Sequence, residues 1–157
     1  MAYPKVKVFI HVLDDDDDDL EFLSLEFKKH GELDFKLFNH SKDFLEATKR
    51  GTHIVVLDYQ LDGDKNGAEV VKELLEENPA CFCIMQSGQS NPDVIIDCVN
   101  AGIRGYIKKG DDNYLERLVQ FVGEKKAGAQ KVIERHYEDM LSLIRLEESI
   151  DKLQNEL

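Results

Sequence analysis

Short runs of β-branched and aromatic residues alternate along the chain with segments that carry apolar residues at helical spacing. We expect a strand where apolar residues alternate or run together, and a helix where they recur every third or fourth position. The predicted strands span residues 5–13, 34–38, 53–58, 81–86 and 105–108. The helices predicted between them span residues 20–30, 41–50 with Ser41 as N-cap, 67–77 and 92–101, and a further helix capped by 111–113 runs to about residue 122.

This alternation of strands and helices indicates the α/β class. Strands that are each followed by a helix pair in parallel, and the returning helices cover both faces of the sheet. The continuous apolar run at 53–58 is typical of a central strand that is buried on both faces. The pattern therefore predicts a doubly wound, five-stranded parallel sheet within residues 1–123.

The pattern changes after Gly123. Residues 124–157 contain no proline and no glycine beyond Gly128. Two apolar stripes overlap in this segment, one of Ile133, Tyr137, Met140 and Ile144, the other of Leu143, Leu146, Ile150, Leu153 and Leu157. We expect a C-terminal helical extension over 124–157 that pairs two chains as a dimerisation helix, folds back on its own domain, or acts as a linker.

The size and net charge of the chain restrict the classes of function that it can have. The 157 residues suit one domain, and 32 acidic against 20 basic residues give a formal net charge of −12. Such a charge opposes binding to nucleic acid and to anionic membranes. The sequence has no apolar run of membrane-spanning length, so we expect a cytoplasmic protein. Cys81, Cys83 and Cys98 are expected to be buried, reduced thiols.

Candidate chemistry gathers where the predicted strands end. The carboxyl ends of parallel strands meet at one edge of a sheet, and ligands bind there. The polar residues at these ends are Asp14, Asp15, Asp58, Ser87, Lys108 and Lys109. Crowded carboxylates favour a hard cation such as Mg²⁺, and a carboxylate can attack phosphorus. The set predicts phosphoryl chemistry assisted by Mg²⁺ and a lysine.

Four short motifs at these positions resemble the receiver domain of two-component response regulators. They are VLDD at 12–15, VVLD at 55–58, MQSG at 85–88 and GYIKKG at 105–110. Each motif alone is weak, but all of them occur in order, at receiver-like separations, over residues 5–123. The resemblance implies a flavodoxin-like sheet with strand order 2-1-3-4-5 and a signalling function.

The resemblance also implies roles for the acidic residues. Asp58 would accept a phosphoryl group from the phosphohistidine of a histidine kinase or a histidine phosphotransfer protein. Asp14, Asp15 and Asp58 would hold Mg²⁺. For the remaining residues 16–19 of the aspartate run, the residues by themselves predict a solvated, acidic start of the first helix.

The remaining matching residues would transmit the change. Ser87 would turn towards the phosphoryl group, and Tyr106 would then swing inward. Lys109 matches the receiver lysine, with Lys108 as the neighbouring alternative. Signalling would pass to a downstream protein partner, because 124–157 is too short and too acidic for a DNA-binding output domain.

Two features depart from the receiver pattern. Asp62 and Gly110 stand where receivers usually have proline. The loop between Asp58 and Gly67 is also one residue longer than expected. The main alternative is a receiver-like interaction module that works without phosphorylation.

A calcium loop and a phosphatase are weaker alternatives. Residues 62–73 fit the calcium-binding pattern of an EF-hand, but a strand-like segment precedes them and Glu69 occupies a position that is normally aliphatic. A phosphatase of the haloacid-dehalogenase type needs a second acid two residues after its nucleophile, and Gln60 stands there.

Overall fold

The computed structural model describes residues 7–30, 33–51, 53–88 and 91–157. Strands and helices alternate in the order β1 (Phe9–Leu13), α1 (Asp17–Lys29), β2 (Phe35–Phe38), α2 (Ser41–Thr48), β3 (His53–Asp58), α3 (Gly67–Glu77), β4 (Phe82–Ser87), α4 (Pro92–Ala101), β5 (Gly105–Lys108) and α5 (Tyr114–Asn155). The first strand begins at Phe9, later than predicted, and residues 7 and 8 lie before it without strand structure. The predicted strand residues 5 and 6 lie outside the described residues.

The strands form one parallel sheet in the order β2-β1-β3-β4-β5. This confirms the α/β class and the strand order that the resemblance implied. β3 pairs with β1 and β4, so that Leu13 lies opposite Leu57 and Asp58 lies opposite Gln86. The register places the ends of these three strands level with one another at one edge of the sheet.

A buried apolar layer lies on each face of the sheet. The first packs against α2, α3 and α4, and the second packs against α1 and α5. Side chains of β3 alternate between them, with Val55 and Leu57 in the first and Ile54 and Val56 in the second. β3 is therefore buried on both faces, as its apolar run predicted. The cysteines, predicted to be buried thiols, lie in the first layer as free thiols: Cys81, Cys83 and Cys98.

The start of α2 differs from the sequence prediction by one residue. The helix begins at Ser41, and its N-cap is His40, whose Nδ1 accepts a hydrogen bond from the Lys42 backbone N–H at 3.2 Å. The prediction of Ser41 as N-cap is therefore wrong. A ring nitrogen can satisfy a free backbone N–H of the first turn as a hydroxyl would.

The C-terminal part of the chain is one helix of 42 residues, α5. The sequence predicted a helix to about residue 122 and a second one after Gly123, but the helix continues through this glycine. Ala129 and Ile133 still pack against the second apolar layer, whereas residues 142–157 are all exposed. None of the described helices combines the length and apolar character that a membrane span requires.

Candidate functional site

The ends of β1, β3 and β5 bring two carboxylates and one ammonium into contact. Lys109 Nζ donates hydrogen bonds to Asp14 Oδ2 at 2.8 Å and to Asp58 Oδ2 at 2.9 Å. Lys109 directly follows β5, and its backbone N–H donates to the Ser87 carbonyl at 2.8 Å. This bond extends the parallel pairing and holds the lysine at the sheet edge. Lys108, the alternative lysine, is exposed on β5.

The first turn of α1 adds a third carboxylate. Asp16 is the N-cap of α1, and its Oδ1 accepts from the backbone N–H groups of Asp18 at 2.9 Å and Asp19 at 3.3 Å. This cap sets the direction of the first turn, and Asp19 Oδ2 accepts a hydrogen bond from Lys109 Nζ at 2.9 Å. Asp19 therefore joins the site, although the sequence predicted it as part of a solvated helix start.

Asp15 lies beside this group with a different partner. Its Oδ2 accepts a hydrogen bond from the Asp62 backbone N–H at 2.9 Å. The two residues also line an open, acidic pocket together with Asp16, Asp58 and Gln60. Asp15 thus ties the β1 end to the loop after β3, and its negative charge contributes to the raised pKa of Asp58.

The donor set suits a hard divalent cation. One carboxylate oxygen from each of Asp14, Asp19 and Asp58 lies within 4.8 Å of the others. The Gln86 side chain is buried beside them, with Nε2 at 3.5 Å from Asp14 Oδ2 and with Oε1 lacking any hydrogen-bond partner. Carboxylate and amide oxygens are the ligands that Mg²⁺ and Ca²⁺ prefer. These residues fit a metal site of the kind typical of receivers.

Burial shifts the titration of the grouped side chains. It raises the pKa of Asp14 from 3.8 to about 6, although hydrogen bonds from Lys109 and from the Asp16 backbone oppose the rise. Burial raises the pKa of Asp58 as well. Burial alone would lower the pKa of Lys109, but its hydrogen bonds to the three carboxylates outweigh that effect and raise it. Lys109 therefore stays protonated in contact with three carboxyl groups.

Ser87 and Tyr106 lie next to each other on β4 and β5. Ser87 is fully buried at the end of β4, and Tyr106 is half-buried against the first apolar layer. Burial raises the pKa of Tyr106, and its hydrogen bond with Ser87 partly offsets that rise. The residues that the sequence predicted as a switch pair are therefore in contact within the structure.

Gln86 and Tyr114 are site residues that the sequence prediction missed. Gln86 is 2% exposed and lies opposite Asp58 in the sheet. Tyr114 begins α5, and the charges of Lys109 and Asp19 both affect its pKa, which burial raises. A signal for Gln86 was available, because it follows Ile84 by two positions and so faces the same side as the second apolar layer.

The segment with the calcium-loop pattern has no EF-hand structure. β3 precedes it, where an EF-hand needs a helix, and α3 begins inside it at Gly67. Lys65 forms an ion pair with Glu73, which would be the last ligand of such a loop. The calcium-loop hypothesis therefore lacks structural support.

Gly110 shows why a departure from the receiver pattern is tolerated. Its φ is 101°, in the left-handed region that glycine adopts readily. A proline cannot adopt that angle, since its ring holds φ near −65°. The backbone after Lys109 therefore follows a path that a proline at this position would not allow.

Comparison with known proteins identifies the fold family. The model of the response regulator receiver domain matches residues 10–121, which is most of the chain. The chain belongs to the response regulator receiver family. The match ends before residue 124, so the exposed part of α5 lies outside the shared receiver domain.

Individual relatives agree with this assignment. A receiver domain protein from Methanospirillum hungatei JF-1 is 21% identical, with a TM-score of 0.68 over 78% of this chain and 96% of that chain. The BeF3-activated receiver domain of DrrB, a Thermotoga maritima response regulator, is 28% identical, with a TM-score of 0.64 over 74% of this chain and 94% of that chain. The transcriptional regulatory protein ComA of Bacillus subtilis (strain 168) is 32% identical over 69 residues, which are 44% of this chain and 31% of ComA. The chain thus matches about a third of that relative's length.

Proposed function

We propose that this receiver accepts a phosphoryl group on Asp58 from a histidine kinase or a histidine phosphotransfer protein. One observation carries the proposal: Lys109 Nζ lies 2.8–2.9 Å from Asp14, Asp19 and Asp58 at the carboxyl edge of a parallel sheet. A buried lysine bound to one strand-end carboxylate and its neighbours is a typical arrangement for phosphoryl transfer rather than for packing.

Asp58 acts as the nucleophile in this proposal. Its carboxylate oxygen attacks the phosphorus of the phosphohistidine, the P–N bond breaks, and the departing imidazole takes up a proton. Burial raises the pKa of Asp58, whereas the hydrogen bonds from Lys109 and from the Gln60 backbone oppose that rise and favour the carboxylate that attacks. Lys109 turns its ammonium towards the transferred phosphoryl oxygens and balances their charge. Water later hydrolyses the acyl phosphate.

We propose Asp14, Asp15 and Asp58 as the residues that hold Mg²⁺. When bound, Mg²⁺ neutralises charge on the phosphoryl oxygens. Asp14 and Asp58 belong to the group of close carboxylates, and Asp15 lines the same acidic pocket while it accepts a hydrogen bond from the Asp62 backbone N–H. Asp15→Asn should then lower the Mg²⁺ affinity more than Asp19→Asn does, as measured by isothermal titration calorimetry. The reverse order would make Asp19 the third ligand.

The Ser87–Tyr106 contact suits a switch at the same edge. Ser87 is level with Lys108 in the β4–β5 register, directly beside the β3 end that carries Asp58. A new phosphoryl group would draw the Ser87 hydroxyl from Tyr106, whose ring then turns inward. The face of α4, β5 and α5 would change for a downstream protein partner. We place the protein in the cytoplasm, where histidine kinases transfer phosphoryl groups.

We propose that the chain consists of a receiver domain, residues 1–123, followed by a helical extension, residues 124–157. The acidic pocket and both switch residues lie in the first part. The extension has 6 basic and 8 acidic residues, which argues against nucleic acid as its partner.

Intact-mass spectrometry tests the phosphorylation. The chain is incubated with acetyl phosphate, with Mg²⁺ or with EDTA, beside the Asp58→Asn variant. We expect one added phosphoryl group that requires both Mg²⁺ and Asp58. If neither a phosphoryl adduct nor a stable beryllofluoride complex forms, the receiver-like interaction module that works without phosphorylation becomes the correct description.

A further inference from the structure

The last third of α5 carries an apolar stripe that faces solvent. Its residues, together with Leu157 just after the helix, are called the exposed stripe: Leu143, Leu146, Ile150, Leu153 and Leu157. Each is between 45% and 108% exposed. Apolar residues at this density on one helix face are typical of a surface that another helix covers.

The receiver domain of the same chain does not cover the exposed stripe. α5 contacts its own domain through Ala129 and Ile133, which pack against the second apolar layer. At about 100° per residue, this contact side lies roughly a third of a turn away from the exposed stripe. Folding the stripe onto the domain would turn Ile133 out of its packing, so fold-back does not explain the stripe.

The spacing of the exposed stripe fits a second identical helix. Its members are separated by three, four, three and four residues, the heptad pattern of a two-helix coiled coil. The second core position holds Leu146 and Leu153. The central first core position holds Ile150, between leucines at the two ends of the stripe, and a β-branched residue there with leucine at the second position suits two strands. We propose that the exposed stripe binds the same stripe of a second copy of this chain.

The charge distribution favours a second copy over another protein. The positions that flank the stripe are Ser142, Glu147, Ser149, Gln154 and Glu156, so they carry two charges, which lie nine positions apart along the helix direction. Two copies can therefore meet without rows of like charge, even though each chain has a net charge of −12. The flanks also lack the charged pattern that would select a different helix in a specific pair. The other charged residues of this segment lie on the other side of the helix: Arg145, Glu148, Asp151 and Lys152.

The stripe is short, which sets the strength of the pair. It spans two heptads, and helix association must first offset the lost freedom of two separate chains. Pairing is therefore weak, and the fraction of dimer depends on protein concentration. The dimer does not require phosphorylation of Asp58, since the exposed stripe lies outside the receiver domain.

Sedimentation velocity of the full chain tests the dimer. We expect the mass to rise with concentration from one chain of 18.0 kDa towards two. Two isoleucines give a matched pair of variants, because Ile150 is 45% exposed within the stripe and Ile144 is 44% exposed outside it. Ile150→Gln should raise the dissociation constant about tenfold or more, whereas Ile144→Gln should change it less than about twofold.

Several results would overturn the dimer. They are a monomer at every concentration, a particle larger than two chains, or equal weakening by both isoleucine variants, which would indicate non-specific association. Circular dichroism checks that both variants keep their helix content. Phosphorylation of Ile150→Gln by acetyl phosphate, followed by intact mass, is measured on the same samples. In the wild-type chain, normal phosphorylation without dimers at any concentration would remove this inference alone, and dimers without phosphorylation would remove the proposed function alone.

Discussion

At the scale of single residues, Lys109 is the centre of the site. An ammonium has three N–H donors, and the hydrogen bonds of Lys109 go to Asp14, Asp19 and Asp58. To bind a phosphoryl oxygen, the ammonium has to release one of these carboxylates. If Asp14 and Asp58 held Mg²⁺ as proposed, Asp19 would remain the partner that restrains the lysine.

Asp19→Asn should therefore raise the rate of phosphorylation by acetyl phosphate severalfold. The change weakens the hold on Lys109 and removes one charge that repels the anionic donor. Asp18→Asn is the matched control, because it removes the same charge from an exposed neighbour in the first turn of α1. The rates are measured by intact mass at saturating Mg²⁺. If both variants raise the phosphorylation rate equally, Asp19 acts only by repelling the anionic donor and not by restraining Lys109.

Asp14→Asn should stabilise the fold in the absence of Mg²⁺. Burial raises the pKa of Asp14 from 3.8 to about 6, so the folded state binds its proton more tightly than the unfolded state does. The stability of the wild type thus falls as the pH rises from about 4 to about 6. We expect the variant to gain about 1–2 kcal/mol at pH 8.

Urea unfolding in EDTA at pH 8 and at pH 5 measures this effect. The gain should shrink at the lower pH, because the wild-type Asp14 then carries its own proton. A variant that is less stable than the wild type at pH 8 would show that the hydrogen bonds of Asp14 outweigh the cost of burying its charge.

At the scale of elements, the start of α3 sets the position of Asp58. The helix begins with a capping box, in which Asn66 Oδ1 accepts from the Glu69 N–H at 3.0 Å and Glu69 Oε1 accepts from the Asn66 N–H at 3.3 Å. Gly67 follows, and a Cβ there would come within 2.4 Å of the Asp58 carbonyl oxygen. The chain passes this close to Asp58 only because Gly67 has no side chain.

Gly67→Ala should move the β3–α3 connection and disturb the site. We expect a loss of about 1–3 kcal/mol in the free energy of unfolding, together with slower phosphorylation of Asp58. Gly128→Ala is the control, because a Cβ at Gly128 meets nothing within 4 Å and alanine favours the helix. Urea unfolding and intact mass measure both. An unchanged stability of Gly67→Ala would mean that the loop shifts freely.

The elements also show where sequence patterns succeed. The apolar run of β3 and the alternation of strands with helices predicted the sheet, because burial on two faces requires that composition. The His40 N-cap and the unbroken path of α5 through Gly123 were missed. Both depend on local geometry. The ring nitrogen of His40 can accept the hydrogen bond that a hydroxyl usually accepts at an N-cap. Gly123 lies in open space, and a glycine there does not end a helix that packs against the domain both before and after it.

At the scale of the whole molecule, the receiver domain and the extension share one helix. Packing against the second apolar layer continues beyond Gly123, to Ala129 and Ile133. A chain that ends at residue 123 should lose about 1–2 kcal/mol of stability, because two apolar side chains leave the layer. A chain that ends at residue 139 should keep the stability of the full chain.

Urea unfolding of the two shortened chains compares them directly. Both should still be phosphorylated on Asp58, since the acidic pocket lies in the receiver domain. Equal stability of the two would place the boundary of the domain at residue 123, as the sequence predicted, and would make the contact at Ile133 unimportant.

Some properties of this protein follow from the sequence by itself. The order of apolar and polar positions determined the α/β class, and the four motifs pointed to the receiver family and to Asp14, Asp58, Ser87, Tyr106 and Lys109. Such features are readable because secondary structure repeats at a fixed period, and because parallel strands place their carboxyl ends at one edge.

The tertiary structure decided the partners of those residues. Asp19 reaches Lys109, and Asp15 turns to the Asp62 backbone, because the Asp16 cap fixes the direction of α1 relative to the sheet. The six consecutive aspartates are all the same residue type, so the sequence alone does not show which of the later ones contacts Lys109. The tertiary structure likewise decided which face of α5 meets the second apolar layer, so that Ile133 packs there while the exposed stripe faces solvent.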